Sequence, residues 1–151
     1  MDLSLSDAPH LRNMIAILLG LCAGAMTVGM LEGVSHQLYP AFSELDYDDP
    51  DQMRTIFNQA PVTALLSILL AWSASVCLGC FVAGLFGVEQ GRICSTVVGI
   101  VAATLVAFML STLPAPKWFT FAGIAILLPS GFLGWWCSRR VLLKLGNKLS
   151  D

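Results

Sequence analysis

The sequence predicts an all-α membrane protein, a polytopic four-helix bundle with a short interfacial helix in its first outer loop. Charged residues make up only 12% of the 151 residues, whereas a soluble domain has about 25%. Four separate apolar stretches reach the length of about 20 residues that a helix needs to cross a bilayer. Small residues also recur at four-residue spacing within these stretches, as they do where membrane helices pack closely.

The four predicted spans cover residues 13–38, 61–87, 94–113 and 118–138. We assign residues 1–151 to a single integral membrane domain, because the segments between the spans are too short to fold as a soluble domain. An alternative interpretation of the first stretch is a signal peptide, since Ala23-Gly24-Ala25 resembles a cleavage site. Asp2 and Asp7, where a signal peptide is basic, and the continuing apolar run favour a span.

Lysine and arginine are distributed unevenly between the two sides of the predicted bundle. Positively charged flanks are retained in the cytoplasm. One side carries six such residues, which are Arg12, Arg92, Arg139, Arg140, Lys144 and Lys148. The other side carries two, Arg54 and Lys117. We therefore predict a multi-pass protein of a bacterial inner membrane, with both the N- and the C-terminus in the cytoplasm.

The small residues form ridges along the predicted helices. The second span has the longest ridge, consisting of Thr63, Ser67, Ala71, Ser75, Gly79, Ala83 and Gly87. The third has Gly91, Ser95, Gly99, Ala103, Ala107 and Ser111, and the fourth ends with Ser130, Gly134 and Ser138. The first has two lines, Ala16-Gly20-Gly24 and Ala25-Gly29-Gly33. Such ridges let helix backbones approach closely. They predict a tight bundle and also offer faces for a membrane-protein partner or a second copy of the chain.

The first outer loop contains a helix signal over residues 50–59. Asp49 is a suitable N-cap, Pro50 fits the first helical position, and Gln52 completes a capping-box pattern. Met53 and Phe57 lie on one apolar face at helical spacing. We therefore expect this short helix to lie in the outer interface.

The acidic residues of the same loop suggest a calcium site as an alternative. Asp46, Asp48, Asp49 and Asp51 are closely spaced, and Glu44 precedes them. The pattern lacks the glycine and the distal glutamate of an EF-hand loop. A solvated turn that caps the short helix is the favoured interpretation.

The five cysteines do not predict disulfides, because none of them lies in an outer loop. Cys77 and Cys80 form a C-x-x-C pattern within the second span. At that place we interpret them as small apolar packing residues, since free cysteine prefers burial, and not as a redox or metal pair.

Glu32 and His36 are the candidate site residues, together with Tyr39. Glu32 and His36 are four residues apart near the outer end of the first span, on the ridge of Gly20 and Gly24, so their side chains can hydrogen-bond or share a ligand. The favoured interpretation is structural, with the polar groups tying the end of the first helix to the loop and the third-to-fourth turn. A periplasmic ligand or metal site and proton-coupled transport remain alternatives.

The other polar groups of the spans have a structural interpretation. We expect neighbouring backbone or cross-helix hydrogen bonds to satisfy the hydroxyls of Ser67, Ser73, Ser75, Ser95 and Thr104. Trp72 lies near mid-depth in the second span, where we expect it to pack against lipid or another helix.

Several motifs carry a resemblance to a known group of proteins. They are the run from Glu32 to Pro40, then Asp49-Pro50, then Pro61 before a small-residue helix, and then Pro114-Ala115-Pro116-Lys117-Trp118-Phe119. The chain resembles a family of small bacterial four-helix inner-membrane proteins over nearly its whole length. The resemblance implies the topology and marks Glu32, His36, Tyr39 and Pro40 as signature positions, and it implies no activity.

The sequence carries no pattern of catalytic, metal-ligating or cofactor-binding residues. We therefore predict a non-enzymatic structural or accessory component. Its expected partners are the lipid bilayer and another membrane protein or a second copy of the chain, and we expect no cofactor, metal or nucleic acid. The alternative is a small transporter or channel subunit that uses Glu32 and His36 at a periplasm-facing site. A carrier should have a polar cavity leading from Glu32 toward Ser67 and Ser75, whereas an accessory protein should have closed ridges and an exposed groove for a partner helix.

Overall fold

The computed structural model describes residues 9–40, 49–88 and 91–148, and these residues contain five α-helices and no strand. The helices are α1 (Pro9–Leu38), α2 (Pro50–Gln59), α3 (Val62–Phe86), α4 (Arg92–Thr112) and α5 (Lys117–Lys148). Four of them, α1, α3, α4 and α5, are long and apolar enough to cross a membrane. The prediction of an all-α four-helix bundle is confirmed, and the helices fit a multi-pass integral membrane protein.

The helix ends follow local chemistry. The first described residue of α1 is Pro9, so the helix includes at least four residues before the predicted span. Gly91 precedes α4 with φ of 62°, a left-handed conformation that favours glycine. α5 continues to Lys148, ten residues past the predicted 118–138, because leucine, arginine and lysine after Cys137 are good helix formers.

The short helix α2 has the predicted cap. The side chain of Asp49 accepts hydrogen bonds from the backbone N–H groups of Asp51 and Gln52, at 3.0 and 3.1 Å. Met53 and Phe57 are buried on the face that we predicted to be apolar. The helix therefore packs onto one end of the bundle. We call this end, where α1 ends, α3 begins and α4 leads into α5, the α2 end.

Helix α3 lies at the centre of the bundle and contacts α1, α4 and α5. Its ridge meets α1 backbone to backbone, since a Cβ atom added to Gly20 would come within 2.7 Å of the Gly79 carbonyl oxygen. Gly134 of α5 approaches the backbone of Cys77 in the same way. Small residues thus set the helix separations, as the ridges predict.

Not every predicted ridge faces another helix. The second line of α1, Ala25, Gly29 and Gly33, is exposed. A Cβ atom added to Gly29 or Gly33 would meet nothing within 4 Å. Large side chains such as Leu70, Phe108 and Leu128 are exposed around the bundle, as a lipid-facing surface requires.

The opposite end of the bundle is held by Asn13 at the start of α1. Its Oδ1 accepts a hydrogen bond from the backbone N–H of Val88 at 2.9 Å and lies 3.3 Å from the Cys94 thiol, which donates to it. Arg12 donates from Nε to the carbonyl oxygen of Phe86 at 2.9 Å. These bonds tie the beginning of α1 to the turn between α3 and α4.

The C-x-x-C cysteines are unpaired thiols within the bundle. Cys80 is fully buried, and its thiol donates to the carbonyl oxygen of Ser95 at 3.4 Å. The Ser95 hydroxyl donates in return to the carbonyl oxygen of Cys80 at 2.7 Å. This reciprocal pair joins α3 to α4, in line with the packing interpretation.

Candidate functional site

Glu32 and Trp72 meet between α1 and α3 near the α2 end. The indole Nε1–H of Trp72 donates a hydrogen bond to Oε1 of Glu32 at 3.2 Å. Trp72 is buried and Glu32 is half-buried. A buried indole N–H needs an acceptor, and a charged acceptor makes a stronger bond than a neutral one. The pair therefore satisfies Trp72 and fixes one oxygen of the carboxylate.

Aromatic packing holds the Trp72 ring in place. Phe119 of α5 is fully buried and meets the indole edge to face, with ring centroids 5.7 Å apart and planes at 61°. Phe57 of α2 also packs against Phe119, with ring centroids 6.4 Å apart. Such tilted arrangements are favourable for aromatic rings. Three helices thus orient one indole towards α1.

The Glu32–Trp72 contact is one step in a ladder of polar contacts between the antiparallel helices α1 and α3. From the α2 end inward these are Tyr39 Oη donating to Thr63 Oγ1 at 3.1 Å, the Ser35 and Ser67 hydroxyls 2.7 Å apart, the Glu32–Trp72 bond, and Ser75 Oγ donating to the Gly24 carbonyl oxygen at 2.8 Å. The partner residues on α1 decrease in number from Tyr39 to Gly24, while those on α3 increase from Thr63 to Ser75. The ladder fixes the register of the two helices.

The ladder also accounts for hydroxyls that the sequence placed inside the spans. Ser67 and Ser75 bond across helices, and Ser95 bonds to Cys80. Ser73 and Thr104 donate to carbonyl oxygens of their own helices. The prediction that neighbouring groups satisfy these hydroxyls is confirmed.

His36 lies away from this contact. It is exposed, and within the described part of the chain no hydrogen bond or ion pair joins it to Glu32. The i, i+4 ridge rotates around a helix by about 40° per step, so a line that faces α3 at Gly20 has turned outward at His36. Ser35, one residue earlier, is buried against α3 instead.

Tyr39 joins the end of α1 to the start of α3. Its ring is half-buried and packs against the cluster that contains Phe57, Trp72 and Phe119. Hydrogen bonds from Ser35 and Tyr39 therefore join the end of α1 to α3. Residues 41–48 of the loop, to which we also expected a tie, lie outside the described residues.

A crevice of about 430 Å³ runs beside Glu32 between α1, α3 and α4. It is long, because its lining on α1 extends from Gly20 to Glu32 and on α4 from Val98 to Met109. The lining is almost wholly apolar, and Glu32 is its one charged residue among those described. Ala25, Leu105 and Met109 are both lining and exposed, so the crevice opens on the outer face of the bundle.

The second oxygen of Glu32 makes no hydrogen bond with the residues that the structure describes. None of the Lys, Arg or His side chains that the structure describes forms an ion pair with it. A half-buried carboxylate in an apolar lining is costly without a partner. The crevice therefore has at one end a carboxyl group with one oxygen that no described residue satisfies.

A metal site has less support from the geometry. No three His, Cys, Asp or Glu side chains of the described residues come together in a way that could hold a metal ion. Glu44, Asp46 and Asp48, which the calcium interpretation needs, lie outside the described residues.

Sequence reasoning missed Trp72 as the partner of Glu32. The available signal was chemical, since a tryptophan buried in a span needs an acceptor for its N–H, and Glu32 is the one acidic residue of the preceding span. The neighbour was harder to foresee, because it depends on how α1 and α3 are aligned.

No protein-family model, no curated protein and no solved structure matches this chain.

Proposed function

We propose that this chain is a non-enzymatic accessory protein of a bacterial inner membrane, and that it binds a membrane-embedded component in the crevice beside Glu32. The observation that carries the proposal is the crevice itself. It is apolar, it opens towards the surrounding lipid, and it ends at a carboxylate. A lining of this kind suits a molecule that resides in the bilayer.

The packing between α1 and α3 supports the accessory role over a carrier. A carrier needs a polar route that can open to each side. The Ser67 and Ser75 hydroxyls are engaged in the ladder. Deeper in the bundle, Gly20 and Gly79 bring the two backbones into contact. Closed ridges and a lateral groove are what distinguish an accessory protein from a carrier.

A second face is available for a membrane partner or another copy of the chain. It consists of the exposed line Ala25, Gly29 and Gly33 on α1. Ala25 also lines the crevice. A partner helix on this line would therefore lie beside the crevice occupant.

The proposed location is the inner membrane with both termini in the cytoplasm. This places the α2 end, with Glu32, on the periplasmic side. The support is the charge distribution, in which six lysines and arginines flank one end of the predicted bundle and two flank the other.

The experiment is co-purification of the tagged protein from its native membrane in mild detergent, followed by mass spectrometry of proteins and lipids. Ala25→Phe places a large ring at the rim of the crevice. Cys22→Phe is the matched control, because Cys22 is exposed on the same helix and does not line the crevice. Gly29→Phe changes the second face without changing the crevice lining. A component held in stoichiometric amount by the wild type, Cys22→Phe and Gly29→Phe, and lost from Ala25→Phe, would support the proposal.

Transport measurements on reconstituted vesicles test the alternative that the chain is a carrier. If Glu32→Gln abolished movement of a solute without lowering expression or thermal stability, the chain would be a carrier and the accessory role would be wrong.

A further inference from the structure

The shape of the crevice beside Glu32 limits what can occupy it. Its lining covers twelve residue steps of α1, from Gly20 to Glu32, which is about 18 Å of helix. Over that length the empty space between the lining residues, counted out to its open side, is about 1080 Å³. An α-helix of the same length, about 10–12 Å across, fills about 1400–2000 Å³. The crevice therefore fits a single extended chain better than a partner helix.

The lining fits a hydrocarbon chain along its whole length. Val28, Val98 and Leu105 present aliphatic side chains, and Gly24 and Gly79, whose backbones pack against each other, form part of the wall. The Ser75 hydroxyl, which also lines the crevice, is already bonded to the Gly24 carbonyl oxygen. Apolar burial alone gives little preference inside a bilayer, since lipid tails are as apolar as these side chains. Selectivity must therefore come from the charged end.

Glu32 supplies that charge at the depth of a lipid headgroup. It lies twenty residue steps, or about 30 Å, along α1 from Arg12, the basic residue at the opposite end. That distance is about the thickness of the hydrocarbon layer. One oxygen of Glu32 is held by Trp72, and the other has no partner among the described residues. A carboxylate so placed is matched by a cation that can donate a hydrogen bond.

We propose that the crevice binds one acyl chain of a phospholipid whose headgroup carries a primary ammonium, with Glu32 accepting a hydrogen bond from that ammonium. This inference rests on the proposed function and gives its occupant a chemical class. The acyl chain runs from Glu32 towards Gly20, and the ammonium neutralises the charge of the carboxylate. Trp72 holds the carboxylate in place by its own hydrogen bond.

The first experiment uses Trp72 as the reporter. Replacing Trp118, Trp135 and Trp136 by Phe leaves one indole, beside the crevice. This variant is reconstituted into vesicles that contain a minor fraction of lipid with brominated acyl chains, which quench an indole that they contact. The brominated lipid carries an ethanolamine, a choline or a glycerol headgroup with identical chains. We expect the ethanolamine lipid to quench at about tenfold lower mole fraction than the glycerol lipid, as one charge-assisted hydrogen bond predicts.

Glu32→Gln in the same background is the matched control. Glutamine keeps an acceptor for Trp72 but loses the charge, so the preference for ethanolamine should disappear while the fold remains. If the three brominated lipids quench Trp72 equally when Glu32 is present, the indole contacts only the ordinary surrounding lipid, and the proposal is wrong. Absence of quenching by all three would also overturn it, since another occupant, such as a partner helix, would then fill the crevice.

A second measurement uses the wild-type chain and does not depend on the tryptophan replacements. Native mass spectrometry from micelles that contain equal amounts of the three phospholipids should show mainly one retained ethanolamine lipid, and Glu32→Gln should abolish that excess. Equal retention of the three would overturn the inference. If no ethanolamine preference is found but Ala25→Phe still loses a membrane-embedded component, the proposed function stands with a different occupant. If, in addition, Ala25→Phe retains the same components as Cys22→Phe, the proposed function and the lipid inference are both wrong.

Discussion

Trp72 donates its indole N–H to Glu32 across 3.2 Å, and this bond joins the central helix α3 to α1 at the mouth of the crevice. The bond gives a buried donor its acceptor and holds one carboxylate oxygen. The same two residues therefore contribute to stability and to the proposed binding site.

A double-mutant cycle with Trp72→Phe and Glu32→Leu should show coupling of about 0.5–2 kcal/mol in the free energy of unfolding. The expected range follows from hydrogen bonds between membrane helices, where the charged acceptor favours the upper part. Thermal or denaturant unfolding in one detergent measures it. Trp118→Phe replaces the exposed Trp118, and it should show no coupling to Glu32→Leu. A coupling near zero for Trp72 would mean that the bond contributes nothing to stability.

Gly20→Ala and Gly29→Ala should differ sharply although both lie on α1. A Cβ atom at Gly20 would come within 2.7 Å of the Gly79 carbonyl oxygen and 2.8 Å of the Ala83 methyl, and neither can move without displacing α3. We expect a loss of about 1–3 kcal/mol, as for other overpacked sites. Gly29→Ala meets open space and gains helix propensity, so it should be neutral or slightly stabilising. Similar melting temperatures for the two variants would contradict the α1–α3 contact.

Asn13→Leu should loosen the end of the bundle opposite α2. The substitution removes the acceptor of the Val88 N–H, and an unsatisfied amide costs about 1–3 kcal/mol. Gln37→Leu, at an exposed position near the other end of α1, is the control. Hydrogen exchange should rise at Val88 in the first variant and stay unchanged in the second. Unchanged exchange in both would mean that Asn13 does not hold the turn.

The proposed orientation predicts the behaviour of reporter fusions. A fluorescent protein fused after Lys148 should fold and fluoresce, because the charge distribution places that end in the cytoplasm. Alkaline phosphatase fused at the same point should be inactive, and at Asn58 in α2 it should be active. The reverse pattern would place Glu32 on the cytoplasmic side.

Much of the fold could be predicted from local sequence. The lengths of the apolar stretches fixed the four long helices, and Asp49 with Pro50 fixed the start of α2. The continuation of α5 to Lys148 was missed, because the apolar run ends at Cys137 although helix formers continue beyond it. Helix propensity and membrane span length are separate properties, and the end of the fourth span was predicted from span length alone.

The candidate site was only partly predictable. Glu32 was selected as an ionisable residue at a span boundary, and the structure places it beside the crevice. His36 was selected by its four-residue spacing, but the rotation of that line around the helix leaves His36 exposed. Trp72 lies on another helix, so no spacing along α1 could identify it.

The sequence by itself determined that this chain forms four apolar helices with small-residue ridges, since length, composition and periodicity are local properties. Only the tertiary structure decided which small-residue ridge of one helix packs against which neighbouring helix. Ala16, Gly20 and Gly24 face α3, whereas the equally small Ala25, Gly29 and Gly33 face outward. The physical reason is that a helix has small residues on more faces than it has neighbours, and the backbone contact of Gly20 with Gly79 and the bond from Trp72 to Glu32 together select one face and one register.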